Sequence, residues 1–167
     1  MPRCGTVVLA GRPNVGKSTL LNALVGEHLA IVSPKPQSTR QPVVGLLTRG
    51  DAQFIFTDAP GLLEPEYMLH SLMRAMALRA IADSEVIAYL HPLAEYPAPP
   101  LERVAKLDRP PRAPVVTVYT KADLVSPSAR PADPPTAAVV ISATTGDRKS
   151  TRLNSSHEVP SRMPSSA

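Results

Sequence analysis

The segment GRPNVGKS, Gly11 to Ser18, constrains the fold of this chain more than any other. It lies between TVVLA, residues 6–10, which reads as a buried strand, and STLLNALV, whose Leu20, Leu21, Leu24 and Val25 share one side of a helix. Gly26 stands where that helix should stop. The spacing G-x-x-x-x-G-K-S between a strand and a helix is the context a phosphate-binding loop requires. Backbone N–H groups of such a loop converge on a diphosphate, and the helix N-terminus adds partial positive charge. Lys17 can reach the β- and γ-phosphates, and the Ser18 hydroxyl can serve Mg2+. Gly11, Arg12, Pro13, Asn14, Val15, Gly16 and Thr19 complete the predicted nucleotide contact.

The rest of the chain alternates strand and helix patterns. Residues 27–41 are loop-like, and VVGLLT (43–48) and AQFIFT (52–57) read as strands joined by a hairpin at Arg49-Gly50-Asp51. A helix is predicted over 67–82, with Leu69, Leu72, Met73, Met76 and Ile81 at helical spacing. EVIAYL (85–90) is a strand, LERVAKL a short helix, APVVTVYT (113–120) a strand and AAVVISA (137–143) the last strand. SPSARPADPP, between those last two strands, is too short and proline-rich for a good helix. The pattern predicts an α/β P-loop NTPase in three layers, with a mostly parallel sheet and one antiparallel edge strand.

Composition narrows the partners. The chain has 167 residues, 43% of them hydrophobic, enough for one domain with a core. No stretch approaches a membrane span, and no signal peptide precedes the first strand pattern. Cys4 is the single cysteine, so no intrachain disulfide forms and a cytoplasmic setting is expected. The net charge is +4, of which residues 147–167 carry +2. The remainder is too small to argue for nucleic acid, and no DNA partner is expected. His28, His70, His91 and His157 make no metal-ligand spacing.

Three further motifs stand in order at strand ends, the edge where ligands bind such sheets. Asp58-Ala59-Pro60-Gly61 fits D-x-x-G, with Asp58 holding Mg2+ through a water and the Gly61 N–H facing a γ-phosphate. Thr120-Lys121-Ala122-Asp123 is close to N-K-x-D. The Asp123 carboxylate can accept from guanine N1–H and the 2-amino group, a donor pair that adenine lacks. Ser142-Ala143-Thr144 is placed to meet guanine O6 with backbone N–H.

Together GRPNVGKSTLLNALVG, SPKPQSTRQPVVGLLT, TDAPGL, YTKADL and ISATTGD resemble the G domain of the Era family of bacterial ribosome-assembly GTPases, over roughly residues 5–146. The resemblance implies a Ras-like G domain that binds GTP and GDP and hydrolyses GTP. It implies Lys17, Thr39 and Gly61 as catalytic residues, with Thr39 of QSTRQ joining Ser18 and Asp58 at Mg2+. Asn14 looks like the asparagine of potassium-dependent GTPases; it is either a K+ ligand or a residue that only holds the loop. Leu62 stands where Ras-like enzymes carry a water-orienting glutamine, so intrinsic hydrolysis should be slow. Ser38 and Ala59 each replace a usual threonine. Thr120 replaces an asparagine that ties the base loop to the phosphate loop, which predicts weaker guanine affinity and tighter GDP binding on Thr120→Asn. Family members continue into a final helix and a KH domain that binds small-subunit ribosomal RNA; peripheral membrane association is also compatible with the resemblance.

Residues 147–167, DRKSTRLNSSHEVPSRMPSSA, break this pattern. Their composition is that of a disordered tail. Permitted codons for DRKSTRLNSSH and SRMPSSA reproduce the two constant parts of a common sequencing-library adapter, with EVP at the variable index. The expectation is a G domain over 1–146 that lacks its final helix, a non-native tail over 147–167 and no KH domain in this chain. Such a domain should expose an apolar sheet face and be prone to aggregate. Two other readings remain: another bacterial ribosome-associated GTPase of the same class, or an inactive truncated fragment.

Overall fold

The computed structural model describes residues 3–33, 39–132 and 138–142. Strand β1 spans Arg3–Ala10 and starts earlier than its apolar run, because Arg3, Cys4 and Gly5 pair with Ala52, Gln53 and Phe54. Helix α1 (Lys17–Val25) follows the glycine loop and closes where the Gly26 N–H donates to Asn22 O at 2.8 Å. Strands β2 (Val43–Arg49) and β3 (Ala52–Asp58) form the expected antiparallel hairpin. Then come α2 (Met68–Asp83), β4 (Val86–Pro92), α3 (Leu101–Ala105), β5 (Val115–Thr120) and β6 (Ala138–Val140).

The sheet has the order β2-β3-β1-β4-β5-β6, and only the β2–β3 pair is antiparallel. Strand alternation gives it two apolar faces. Leu9, Leu90 and Val118 pack with Leu21 of α1 on one side. Val8, Ala10, Ile87 and Tyr89 pack with Ala77 and Ile81 of α2 and with Leu101 and Ala105 of α3 on the other. This is the three-layer, Ras-like P-loop arrangement, with helices on both faces of a mostly parallel sheet.

Some local expectations shift. The buried face of α2 is His70, Met73, Ala77 and Ile81, an i, i+3, i+7, i+11 stripe. Leu69 and Leu72 instead lie exposed on the outer side. β6 holds its ladder only over Ala138–Val140, pairing with Thr117–Tyr119, although Ile141 still donates to Tyr119 O. Ala137 and Ala143, at the ends of the expected strand, lie outside the described residues, as do residues 147–167. Among the described residues after β5, the chain forms two single 3-10 turns, Ala122–Leu124 and Pro127–Ala129.

Candidate functional site

The C-terminal ends of β1, β3 and β5 bring the motifs around one cavity of about 370 Å³. Pro13, Lys17 and Ser18 line it from the phosphate loop, Thr39 and Gly61 from the segments beside β2 and β3, and Lys121 from the end of β5. The loop is held from behind. Gly11 has φ 153°, and a Cβ there would stand 2.6 Å from the Leu90 carbonyl oxygen. Gly61 is equally confined, because its Cβ would meet the Pro13 ring and nitrogen at 2.6–2.8 Å. The D-x-x-G turn therefore rests directly on the phosphate loop, and Leu62 N–H donates to Gly11 O at 2.8 Å.

Lys17 is 6% exposed, and its Nζ donates to Arg12 O at 2.9 Å. Burial pulls its ammonium down to about 8, against the opposing attraction of Asp58. Behind it three oxygens converge. Ser18 Oγ donates to Asp58 Oδ2 at 2.5 Å and lies 3.0 Å from Thr39 Oγ1, which is itself 3.2 Å from Asp58 Oδ2. Asp58 is fully buried, and its Oδ1 has no hydrogen-bond partner among the described residues. Desolvation raises its carboxyl above the usual range, opposed by the Ser18 hydroxyl, Lys17 and the Thr39 hydroxyl. A buried carboxylate oxygen left unpaired beside two hydroxyls is a donor set that fits a hard, oxygen-seeking cation such as Mg2+. One carboxylate suffices where phosphates supply the other ligands.

The base end is built differently. Thr120 is buried, and its hydroxyl donates to Val15 O at 2.6 Å, with His91 O at 3.5 Å. The tie between base loop and phosphate loop is thus made by this threonine. Lys121 turns the chain at φ 57°, and Ala122 N–H donates to Ile141 O at 3.2 Å. Asp123 is exposed; its Oδ1 accepts from Ser142 Oγ at 2.6 Å. That hydroxyl, followed by the residue's own backbone, lowers the Asp123 carboxyl below the usual range, so it stays a charged acceptor.

Of the expected residues, Pro13, Asn14, Gly16, Lys17, Ser18, Thr19, Thr39, Gly61 and Lys121 line the cavity, whereas Asp123 and Ser142 are not part of its lining. The Arg12 side chain turns away to Glu95 at 3.9 Å, leaving only its backbone at the loop. Val15 contributes its carbonyl, while its side chain sits in the core. Ala143 and Thr144 lie outside the described residues. Asn14 lines the cavity at φ 60°. Leu62 is 2% exposed within the core, so its side chain is turned away from any attacking water. Sequence reading missed Ile31, Val32 and Ser33, which also line the cavity, and Asn22, which holds the chain just before them. The one available signal was a lone asparagine among the apolar residues of α1.

A phosphate loop, a carboxylate behind its serine and an acidic base loop, arranged on this sheet, define a G domain of the P-loop class. The chain belongs to the family described as 50S ribosome-binding GTPase, whose model matches residues 6–121. Among its relatives, GTPase Era of Corynebacterium glutamicum is 42% identical over 128 residues, covering 74% of this chain and 41% of that protein. GTPase Era of Heliobacterium modesticaldum is 38% identical over 124 residues, covering 74% of this chain and 42% of that protein. A crystal structure of Era in complex with MgGDPNP and nucleotides 1506–1542 of 16S ribosomal RNA superposes with a TM-score of 0.77 at 32% identity. It covers 87% of this chain and 53% of that one. The chain is therefore an Era-like G domain that spans about two fifths of the length of the curated relatives it matches.

Proposed function

We propose that the chain binds GTP and GDP and hydrolyses GTP by in-line attack of water on the γ-phosphate. The observation that carries this reading is the Ser18–Thr39–Asp58 oxygen cluster, with Asp58 Oδ1 unpartnered at the head of the phosphate loop. Loop N–H groups and Lys17 hold the diphosphate, with Lys17 exchanging the Arg12 carbonyl for phosphate oxygens. Mg2+, when bound, neutralises phosphate charge; Ser18, Thr39 and, through a water, Asp58 would hold it. Gly61 N–H and Thr39 meet the γ-phosphate and release their segments after it leaves, which makes the domain a switch. Asp123 selects guanine, and Ser142, Ala143 and Thr144 complete the base loop.

Leu62 leaves water orientation to another device. Asn14 is assigned as a ligand of K+, whose charge would help stabilise the transferring phosphoryl group. In the full-length protein the proposed partner is small-subunit ribosomal RNA, as in the Era complex, through a KH domain beyond the G domain. That role implies the cytoplasm. Residues 147–167 are proposed to be translated adapter, and sequencing the source DNA across codon 146 by another library chemistry should replace them.

Phosphate release from GTP and from ATP, each in K+ and in Na+ buffer, tests the activity. The expected result is release from GTP alone, slow in Na+ and faster in K+. Equal rates in the two salts would remove Asn14 from the mechanism, and equal rates on ATP would remove the guanine assignment.

A further inference from the structure

Asn22 is a half-buried polar residue of α1, and its side chain makes three hydrogen bonds to backbone beyond the helix. Nδ2 donates to Ala30 O at 2.8 Å, and Oδ1 accepts from the N–H groups of Leu29 and Ala30 at 3.0 and 2.9 Å. One amide thus uses donor and acceptor together to hold two consecutive residues. Ala30 is 6% exposed and packs with Leu21 and Val118. The chain changes character at the next residue. Ile31 and Val32 are 74% and 57% exposed, yet they line the same cavity as Lys17, Ser18 and Lys121.

Phosphate chemistry has no use for branched aliphatic side chains. Amides, ammonium and hydroxyls solvate an anion, whereas an aliphatic chain gains only from an apolar surface that displaces its water. The apolar surface a nucleotide offers is its sugar and the face of its purine. We infer that Ile31 and Val32 form an apolar contact for the nucleoside half of the bound nucleotide, and that Asn22 is the positioning residue that holds them at the cavity. This rests on the reading of the cavity as a guanine-nucleotide site. The clamp fixes the backbone before the ligand arrives, so less ordering is required on binding. Its effect should fall on dissociation more than on association.

The test is release of tritiated GDP from the whole chain, chased with unlabelled GDP, beside competition by inorganic tripolyphosphate as a phosphate-only probe. Ile31→Ser and Val32→Ser change exposed side chains and should leave the fold intact. Each should speed GDP release by roughly tenfold, the scale of partial burial of one aliphatic chain, with tripolyphosphate competition unchanged. Asn22→Ala should speed release in the wild-type background but add little to the double serine variant, because it acts through those two residues. Asn22→Asp keeps the acceptor for both N–H groups and should recover part of the loss. Unchanged GDP release in both serine variants overturns the inference, as does an equal loss of tripolyphosphate affinity. A wild-type chain that binds no GDP overturns the nucleotide reading itself, and this inference with it.

Discussion

The phosphate end and the base end of this site are built on opposite plans. At the phosphate end Lys17 and Asp58 are buried, and the phosphate loop packs closely against Leu90 of β4 at Gly11 and against Gly61 at Pro13. At the base end Asp123 is exposed and held by a single hydroxyl from the residue after Ile141, beyond a strand only Ala138–Val140 long. The first end is preorganised by packing, the second by a few hydrogen bonds on the far side of the sheet. Thr120 is the direct link, joining β5 to Val15 across 105 residues of sequence. Affinity should therefore reside mainly in the phosphate end, and base choice in the more lightly supported one.

Four substitutions sharpen or break that contrast. Lys17→Ala removes the charge-assisted contacts proposed to two phosphates and should weaken GTP and GDP by roughly a thousandfold, read by equilibrium titration. It should leave the ratio of GTP to ATP affinity, already reduced in both terms, unchanged. Asp123→Ala should do the opposite: about a hundredfold loss of GTP affinity, with tripolyphosphate binding intact. A loss of tripolyphosphate binding in that variant would mean that the two ends are not separate. Thr120→Val leaves Val15 O without its partner and should weaken GDP and tripolyphosphate together by about tenfold, since the tie serves the phosphate loop as well. Ser142→Ala removes one hydrogen bond to an exposed carboxylate and should cost guanine affinity only about threefold.

The same contrast explains what was legible in the sequence. The glycine loop, α1 and the hairpin are local in the chain, so spacing and apolar periodicity announced them. The three-layer sheet with its antiparallel edge followed from the order of those elements. The inner face of α2 was less legible, because Leu69 and His70 compete for it, and His70 is buried with its ring on Tyr67 and its Nδ1 accepting from the Glu66 N–H. β6 was legible as a strand, but not its end: the apolar run continues to Ile141, beyond the described ladder with β5. The Asn22 clamp was invisible because it joins a side chain to a backbone carbonyl and amides, and such partners carry no residue signature; the tie at Thr120 was expected only from the asparagine the resemblance places there. Thr120 in particular looked like a weakened asparagine, yet its hydroxyl reaches Val15 O at 2.6 Å.

The most direct measurement is competition of GTP and ATP, each with Mg2+, for tritiated GDP bound to the chain. The account predicts that GTP displaces the label at concentrations at least about a hundredfold below those ATP requires, because only guanine offers Asp123 its donor pair. Equal displacement by the two nucleotides would contradict it, leaving a phosphate site without a base site.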